Sequence, residues 1–301
     1  MANNAITSES GRVKFESIDP SAFQHPLDRQ ATENLKMLIG FDLLVAKFLE
    51  FGYERLLYVY NIASSVRVGP TQFPKLYAML QESCAILDVP EPELYVQQSP
   101  VVNAFTFGYT KPYIMLYTGL LDLMDDDETM AVIAHELGHI KCGHMLYLTM
   151  ANLLTILTVQ ITHSTFGIGV PVLLALKVAL IQWQRRAELS VDRASLLVMQ
   201  TPRPVLSTLT KLAGGTQKLA GELSLEAFLE QARIYEAMPD QNILDQLYRL
   251  LAETREDAHP FIVERVKELD RWSASTEYTD ILAGNYPRGL RKFQIKVSAG
   301  V

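Results

Sequence analysis

One stretch of the sequence constrains the fold more than any other. Residues 130 to 144, "MAVIAHELGHIKCGH", place three of the chain's six histidines in an otherwise apolar, helix-forming segment. Two of them, His135 and His139, flank Glu136 in the spacing His-Glu-x-x-His. Residues four positions apart share a face of a helix, so both imidazoles can bind one metal ion. The stretch therefore predicts a buried helix that also carries a metal site.

The residue between the two histidines suits hydrolytic chemistry. Zinc binds histidine nitrogens at about 2.0 to 2.1 Å, and a catalytic zinc site has three protein ligands plus a water. Glu136 is next to His135 in the chain, so it can hold that water and take its proton as the general base. The alternative is a chance occurrence of the motif on an inert helix, and a third ligand has to decide between the two.

Three of the four candidates for the third ligand fit poorly. Cys142 would lie about 4.5 Å further along the helix axis than His139, which is too far for a tight tetrahedral site, and we interpret it as a packing residue. His144 invites the longer pattern H-E-x-x-H-x-x-G-x-x-H, but this chain has a cysteine at 142 and a methionine at 145. His163 lies at the far end of an apolar run, remote from the motif.

The fourth candidate is Glu188, in the segment "RRAELSVD". If the apolar segment before it folds back as a hairpin, the helix with Glu188 returns beside the motif helix. Asp192 then lies on the same face and could accept the outer N–H of a zinc-bound histidine, fixing its tautomer. A solvated charged face paired with nearby arginines is the alternative. Because Glu188 and Asp192 would lie beside the His-Glu-x-x-His helix, we favour a His-His-Glu site for one zinc ion per chain.

The rest of the chain predicts one main domain. Residues 1–30 are polar and without periodicity, so we expect a loose N-terminal arm, and 284–301 form a basic tail. Between them, 31–283 predict a mostly helical α+β domain with a small β-hairpin sheet. Its strands are "ELYVQQ", "NAFTFGY" and "YIMLYTG", which are rich in aromatic and β-branched residues. "DDDE", residues 125 to 128, suits the positive end of the motif helix that it opens.

The segment 145–183 is almost wholly apolar. Two arms, Met145 to Thr162 and Ser164 to Trp183, would reach about 27 and 30 Å as helices, close to the thickness of a bilayer core. We therefore predict a long apolar helical hairpin, inserted between the helices of the two motifs, that contacts membrane lipid. The active site would lie on the cytoplasmic or plastid stromal side. Lys177 and several threonines favour the alternative, a soluble cytoplasmic protein with a buried hairpin.

Net charge and cysteine content argue against a nucleic-acid-binding protein and against a disulfide-stabilised one. A net charge of -7 and the lack of a long basic stretch argue against nucleic acid as a partner. Two cysteines make no disulfide framework, which favours a reducing compartment. The N-terminal sequence is polar and lacks the apolar core of a signal peptide.

Three segments in this order resemble a known family: "NAFTFG", "GLLDLMDDDETMAVIAHELGHIKCGH" and "RRAELSVD". They are similar to the membrane-linked zinc metallopeptidases that include the CAAX prenyl endopeptidase and HtpX-like proteases, the forty-eighth metallopeptidase family. The resemblance covers about residues 75 to 270. It implies a zincin-like metalloprotease core, zinc on His135, His139 and Glu188, and Glu136 as the base in hydrolysis of protein or peptide substrates.

The resemblance also implies where a substrate lies. Asn103, Ala104 and Phe105 would belong to an edge strand beside the cleft, and such a strand can pair with a substrate backbone. "HPFIVERVKELDRW", residues 259 to 272, resembles the family's His-Pro element at the start of a late helix. His259 either caps that helix or reaches the cleft as a gate or transition-state donor. The chain lacks several clean N-terminal spans, which argues against a prenyl-protein substrate.

Two rival functions belong to other classes. A peptide deformylase also combines His-Glu-x-x-His with an upstream cysteine, and "QESC" faintly resembles its motif, but Cys84 falls inside an amphipathic helix. A non-catalytic membrane scaffold could keep zinc for stability alone. Glu136 argues against that scaffold, because a structural site needs no base and closes its fourth position with a residue.

Overall fold

The computed structural model describes residues 11–37, 54–149, 151, 170–237 and 261–289. Helices dominate these residues, as predicted, and two short 3₁₀ helices span Pro20–Ala22 and Gln217–Glu222. The α-helices are α1 Pro26–Lys36, α2 Glu54–Ser64, α3 Pro74–Leu87, α4 Thr118–Leu123, α5 Asp126–Cys142, α6 Val170–Met199, α7 Pro202–Gly214, α8 Leu225–Glu236, α9 Ile262–Ser273 and α10 Thr276–Leu282.

The described strands form one mixed sheet rather than a simple hairpin. They are β1 Val66–Arg67, β2 Glu93–Gln97, β3 Ala104–Phe107 and β4 Tyr113–Tyr117, in the order β1-β2-β4-β3. β2 and β4 are parallel, whereas β1 pairs with β2 and β3 with β4 in the antiparallel direction. The three predicted strands are therefore confirmed, and β1 is an addition at one edge. β3 forms the other edge.

The motif helix α5 has strong local signals at both ends. The side chain of Asp125 accepts a hydrogen bond from the Glu128 N–H, and the Glu128 carboxylate accepts one from the Asp125 N–H. This reciprocal capping box satisfies N–H groups that the first helical turn leaves unpaired. Gly143 ends the helix at a φ of 72°, a left-handed conformation that favours glycine. α5 contacts α3, α6, α7 and β3, and nearly every residue from Glu128 to Lys141 is buried.

The predicted apolar hairpin is only partly within the described residues. Residues 145–149 are helical, and 152–169 lie outside the described part of the chain. α6 runs without a break from Val170 to Met199, so the described part of the predicted second arm, residues 170–183, and the segment with Glu188 are one helix. None of the described helices is both long enough and apolar enough to cross a bilayer.

The predicted loose arm over residues 1–30 is wrong for residues 11–30. The side chains of Phe15 and Phe23 are fully buried, and the Phe15 N–H donates to the carbonyl of Ile86. α1 packs along α6. The apolar residues of this segment are too irregularly spaced to give a periodic signal. Burial of Phe15, Ile18 and Phe23 nevertheless stabilises the docked segment.

The start of the predicted basic tail is also packed. The Gly289 N–H donates to the carbonyl of Ser17, and Arg288 forms a β-bridge with Ile18. The ring of Tyr286 lies edge-on to Phe15 at 5.9 Å. Residues 284–289 therefore continue the domain, and 290–301 lie outside the described residues.

Candidate active site

A glycine inside the motif lets the two site helices come close together. A Cβ atom added at Gly138 on α5 would lie 2.9 Å from Cβ of Ala194 and 3.1 Å from Cα of Val191, both on α6. Those distances are shorter than ordinary carbon contacts, so only glycine fits here without a shift of α6. The close approach brings the face of α6 with Glu188 against the histidines of α5.

Three potential ligand atoms converge at this crossing. The nearest atoms of His135, His139 and Glu188 all lie within 4.8 Å of one another. Nε2 of His135 lies 3.3 Å from Oε2 of Glu188, and Nε2 of His139 lies 3.6 Å from Oε1. Two ligands about 2.05 Å from a tetrahedral zinc ion are separated by about 3.3 Å. The three side chains therefore have a spacing and chemistry that fit a zinc ion, and among the described residues they form the only such group.

Asp192 lies behind the first histidine. Its Oδ1 lies 3.0 Å from Nδ1 of His135, so a ring proton on Nδ1 would leave Nε2 free for a metal. The guanidinium of Arg265 donates two hydrogen bonds to the same carboxylate, at 2.7 and 2.8 Å. Asp192 is thus held from two sides and orients the imidazole of His135.

Arg265 also determines the charge state of the site. Its Nη1 lies 3.1 Å from Oε2 of Glu188, and the side chain is buried. Burial opposes ionisation of both carboxyls, but the positive charge of Arg265 outweighs it and holds the pKa of Asp192 below its ordinary value. The pKa of Glu188 is held well below its ordinary value in the same way. Both groups are therefore carboxylates at neutral pH, which is the form that binds metal.

Glu136 is fixed by the edge strand of the sheet. Its Oε2 accepts a hydrogen bond of 2.6 Å from the hydroxyl of Thr106 on β3. Both residues are buried, and Glu136 lines a small cavity together with His135, Ala104 and Arg265. The carboxylate of Glu136 is thus placed beside the potential ligands without pointing into bulk solvent.

The three predicted substrate residues lie at this same edge, but with different orientations. Ala104 lines the cavity, on the same face of β3 as Thr106. The side chain of Phe105 is on the opposite face, where its ring lies 5.7 Å from that of Tyr117. Asn103 precedes the strand, and its carbonyl accepts from the Tyr117 N–H. The side chain of Phe105 therefore points away from the cleft, and its backbone groups face β4.

The other candidates lie away from the crossing or outside the described residues. Cys84 lies on α3 and packs in the main hydrophobic core, where burial raises the pKa of its thiol. Cys142 is half-buried against the same core, as expected for a packing residue. His144 lies behind His139 rather than beside Glu188. His163 and His259 fall on residues that the structure does not describe.

Two residues of the site were missed by the sequence reasoning. Arg265 lies on the same face of α9 as Ile262, Leu269 and Trp272. A charged residue on an otherwise apolar helix face was therefore the available signal for a role of Arg265 in the site. Thr106 offered no such signal, because a threonine in a strand is ordinary. Its role becomes visible only when β3 is placed against α5.

Comparisons with known proteins agree with this geometry. The sequence profile of peptidase family M48 matches residues 70–273. The plastoglobule-localized metallopeptidase 48, chloroplastic, of Arabidopsis thaliana is 40% identical over 270 residues, covering 89% of this chain and 77% of that protein. Protease HtpX homolog 2 of Methanosarcina mazei is 27% identical over 227 residues, covering 68% of this chain and 74% of that protein.

A more distant relative matches over a similar extent. The protease HtpX homolog of Ralstonia pickettii is 24% identical over 248 residues, covering 76% of this chain and 83% of that protein. The family profile extends over more than half of the chain and includes both site helices. On these matches, the chain belongs to peptidase family M48.

Proposed function

We propose that this protein is a zinc metalloendopeptidase in which His135, His139 and Glu188 hold the metal and Glu136 is the general base. The observation that carries the proposal is that the three ligand atoms lie within 4.8 Å of one another. Glu136, which is buried, follows the ligand His135 directly in the chain. Two imidazoles and one carboxylate form the ligand set of thermolysin-like zinc enzymes. Membership of family M48 supports the same class of reaction.

The residues divide the work of hydrolysis between them. When bound, zinc supplies a Lewis acid that polarises the carbonyl of the scissile peptide bond. Thr106 holds one oxygen of the Glu136 carboxylate, which leaves the other to take a proton from the attacking water. Glu136 then returns this proton to the nitrogen of the leaving amine. Asp192 and Arg265 keep the imidazole of His135 in one orientation throughout.

An extended peptide backbone is the proposed substrate. The Tyr117 N–H bonds to the Asn103 carbonyl, so the alternation of an antiparallel pair turns the backbone groups of Ala104 and Thr106 away from β4. Within the described residues, β3 has no strand on that side. A substrate strand could pair there, beside Glu136, by β-augmentation.

His259 remains a proposed gate or transition-state donor. It is three residues before the start of α9, and α9 carries Arg265 into the site. His259 itself lies outside the described residues, and the proposal is supported by its place in the sequence before α9.

Metal content and proteolysis measured on the same preparation test the proposed activity. We expect about one zinc per chain, casein cleavage that stops when a chelator removes the zinc, and recovery when zinc is returned. Glu136→Gln protein prepared in parallel controls for a contaminating protease. Wild-type protein that holds zinc but cleaves nothing would favour the non-catalytic scaffold. Cleavage that survives complete removal of metal would contradict the proposal.

We propose a location at a membrane or lipid surface, contacted by residues 145–183, with the active site on the cytoplasmic or plastid stromal side. Support comes from the apolar sequence of this segment and from the Arabidopsis relative, which is named as plastoglobule-localized. Fractionation of cells without detergent tests it. We expect the protein in the lipid or membrane fraction after a high-salt wash. Protein found wholly in the high-speed supernatant would contradict the location and leave the metal site unaffected.

A further inference from the structure

A second series of buried polar groups lies behind His139. Its Nδ1 lies 3.2 Å from Nδ1 of His144, and Nε2 of His144 lies 3.2 Å from Oδ2 of Asp28. His144 is 1% exposed and Asp28 is 0% exposed. Bulk water does not reach these atoms, so they have to satisfy one another's hydrogen bonds.

Only one arrangement of ring protons fits these contacts when His139 binds a metal through Nε2. The neutral ring of His139 then carries its proton on Nδ1 and donates it to Nδ1 of His144. His144 consequently carries its own proton on Nε2, where the carboxylate of Asp28 accepts it. The opposite direction would put a proton on Nε2 of His139 and block the metal.

Asp28 is itself held by several donors. Its Oδ2 accepts from Ser190 at 2.5 Å and from Gln24 at 2.9 Å, and its Oδ1 accepts from Thr32 at 3.1 Å. Ser190 is two residues from Glu188 on α6. These contacts tie Asp28 and α1 to α6 through Ser190 and to the residues just after α5 through His144.

The arrangement has a counterpart on the other histidine. Asp192 contacts Nδ1 of His135 directly, at 3.0 Å. On His139 the corresponding carboxylate belongs to Asp28, which acts at a greater distance with the ring of His144 between them. Each predicted histidine ligand thus has one buried carboxylate behind its outer nitrogen.

We propose that His144 and Asp28 are positioning residues of the metal centre, which hold His139 in the tautomer and orientation that bind the ion. The inference rests on the proposed zinc site and deepens it. It makes the N-terminal segment part of the metal centre, since α1 supplies the carboxylate at the end of the series. The competing explanation is that the pair only stabilises the packing of α1 on α6.

Zinc affinity separates these two roles. His144→Phe keeps an aromatic ring against Trp183, which lies 5.3 Å from the His144 ring, but removes the acceptor for His139. Competition with a chromophoric chelator should show a zinc affinity roughly 10 to 100-fold weaker, as for other outer partners of metal ligands. His144→Gln restores a carbonyl acceptor and should recover part of the loss.

Trp183→Phe is the matched control. It removes the indole hydrogen bond to Thr32 and disturbs the same packing, but leaves the series from His139 to Asp28 complete. We expect it to lower the melting temperature with and without zinc and to leave zinc affinity unchanged. If His144→Phe behaves in the same way, the pair is only structural and the inference is wrong.

A measurement on the wild-type protein does not depend on any variant folding. Two-bond ¹⁵N–¹H NMR of the zinc-loaded chain identifies the protonated nitrogen of each histidine ring. We expect a proton on Nδ1 of His139 and on Nε2 of His144. A proton on Nδ1 of His144 would overturn the inference while leaving zinc binding intact. Wild-type protein that takes up no zinc would instead overturn the zinc site itself, and this inference with it.

Discussion

The hydroxyl of Thr106 donates a 2.6 Å hydrogen bond to the carboxylate of Glu136, so the edge strand β3 holds the proposed base directly. The same hydroxyl lies 3.2 Å from the backbone carbonyl of Glu136. Thr106 therefore connects β3, the strand proposed to pair with the substrate, to the proposed base Glu136. A peptide that pairs with β3 would be placed relative to Glu136 by this contact.

Thr106→Val should lower kcat and leave zinc content unchanged. The methyl group keeps the shape of the side chain, but the carboxylate of Glu136 loses a hydrogen bond of the charged type, worth about 1.5–3 kcal/mol, or roughly 10 to 100-fold in rate. Steady-state cleavage of a fluorogenic peptide measures the effect. Thr106→Ser retains the hydroxyl and should stay near the wild-type rate. A valine variant with wild-type kcat would mean that the contact does not position the base.

Gly138→Ala should separate α5 from α6. The added methyl would overlap Ala194 and the backbone of Val191, an overpacking that costs about 1–3 kcal/mol. We expect a loss of that size in the free energy of urea unfolding and weaker binding of zinc. Gly214→Ala on α7 is the control, because a Cβ there meets nothing within 4 Å. Unchanged zinc affinity in the Gly138 variant would show that the close approach of the helices is not needed for the site.

Arg265→Gln should be severely destabilising. It leaves the buried carboxylates of Asp192 and Glu188 without their cation, and breaking a buried ion pair costs about 3–5 kcal/mol. Arg265→Lys keeps the charge but not the two parallel donors, so it should recover only part of the loss. Arg271→Gln on the same helix changes a side chain that is 61% exposed and should shift the unfolding midpoint little. Equal midpoints for the Arg265 and Arg271 variants would contradict this account.

Ala104→Pro tests the substrate strand. The backbone N–H of Ala104 faces the free edge, and proline removes it without removing a bond to β4. The Michaelis constant for a peptide substrate should rise several-fold while zinc content stays the same. Ala104→Ser is the control, because it adds only a hydroxyl group at the same position and keeps the backbone N–H. If both variants bind peptide equally well, the substrate docks elsewhere.

Features with local signals were predicted well from the sequence. The start of α5 depends on Asp125 and Glu128, which lie in the predicted acidic stretch 125–128. The three strands before α5 have their own aromatic and β-branched pattern. The position of Glu188 beside the histidines was predicted because the motif needs a third ligand and a folded-back apolar segment would return Glu188 to it.

Features that depend on distant parts of the chain were not predictable. Asp28 is buried against His144, 116 residues away, and its own surroundings in the sequence are polar. The N-terminal segment was therefore predicted as a loose arm. Thr106 was missed for the same reason, since Glu136 lies 30 residues away. The charge of Arg265 on an apolar helix face marks the residue but does not indicate its partner Asp192, 73 residues away. Such contacts become apparent only once the helices and the sheet edge are assembled.

The zinc-to-protein ratio of two purified variants tests the central claim most directly, namely that Glu188 holds the metal and Glu136 does the chemistry. Glu136→Gln keeps the shape of the site and should retain about one zinc per chain while losing nearly all casein cleavage. Glu188→Ala should retain almost no zinc after dialysis and should also be inactive. Cys142→Ala should match the wild type in both respects. A Glu188→Ala protein that keeps a full complement of zinc would contradict the ligand assignment.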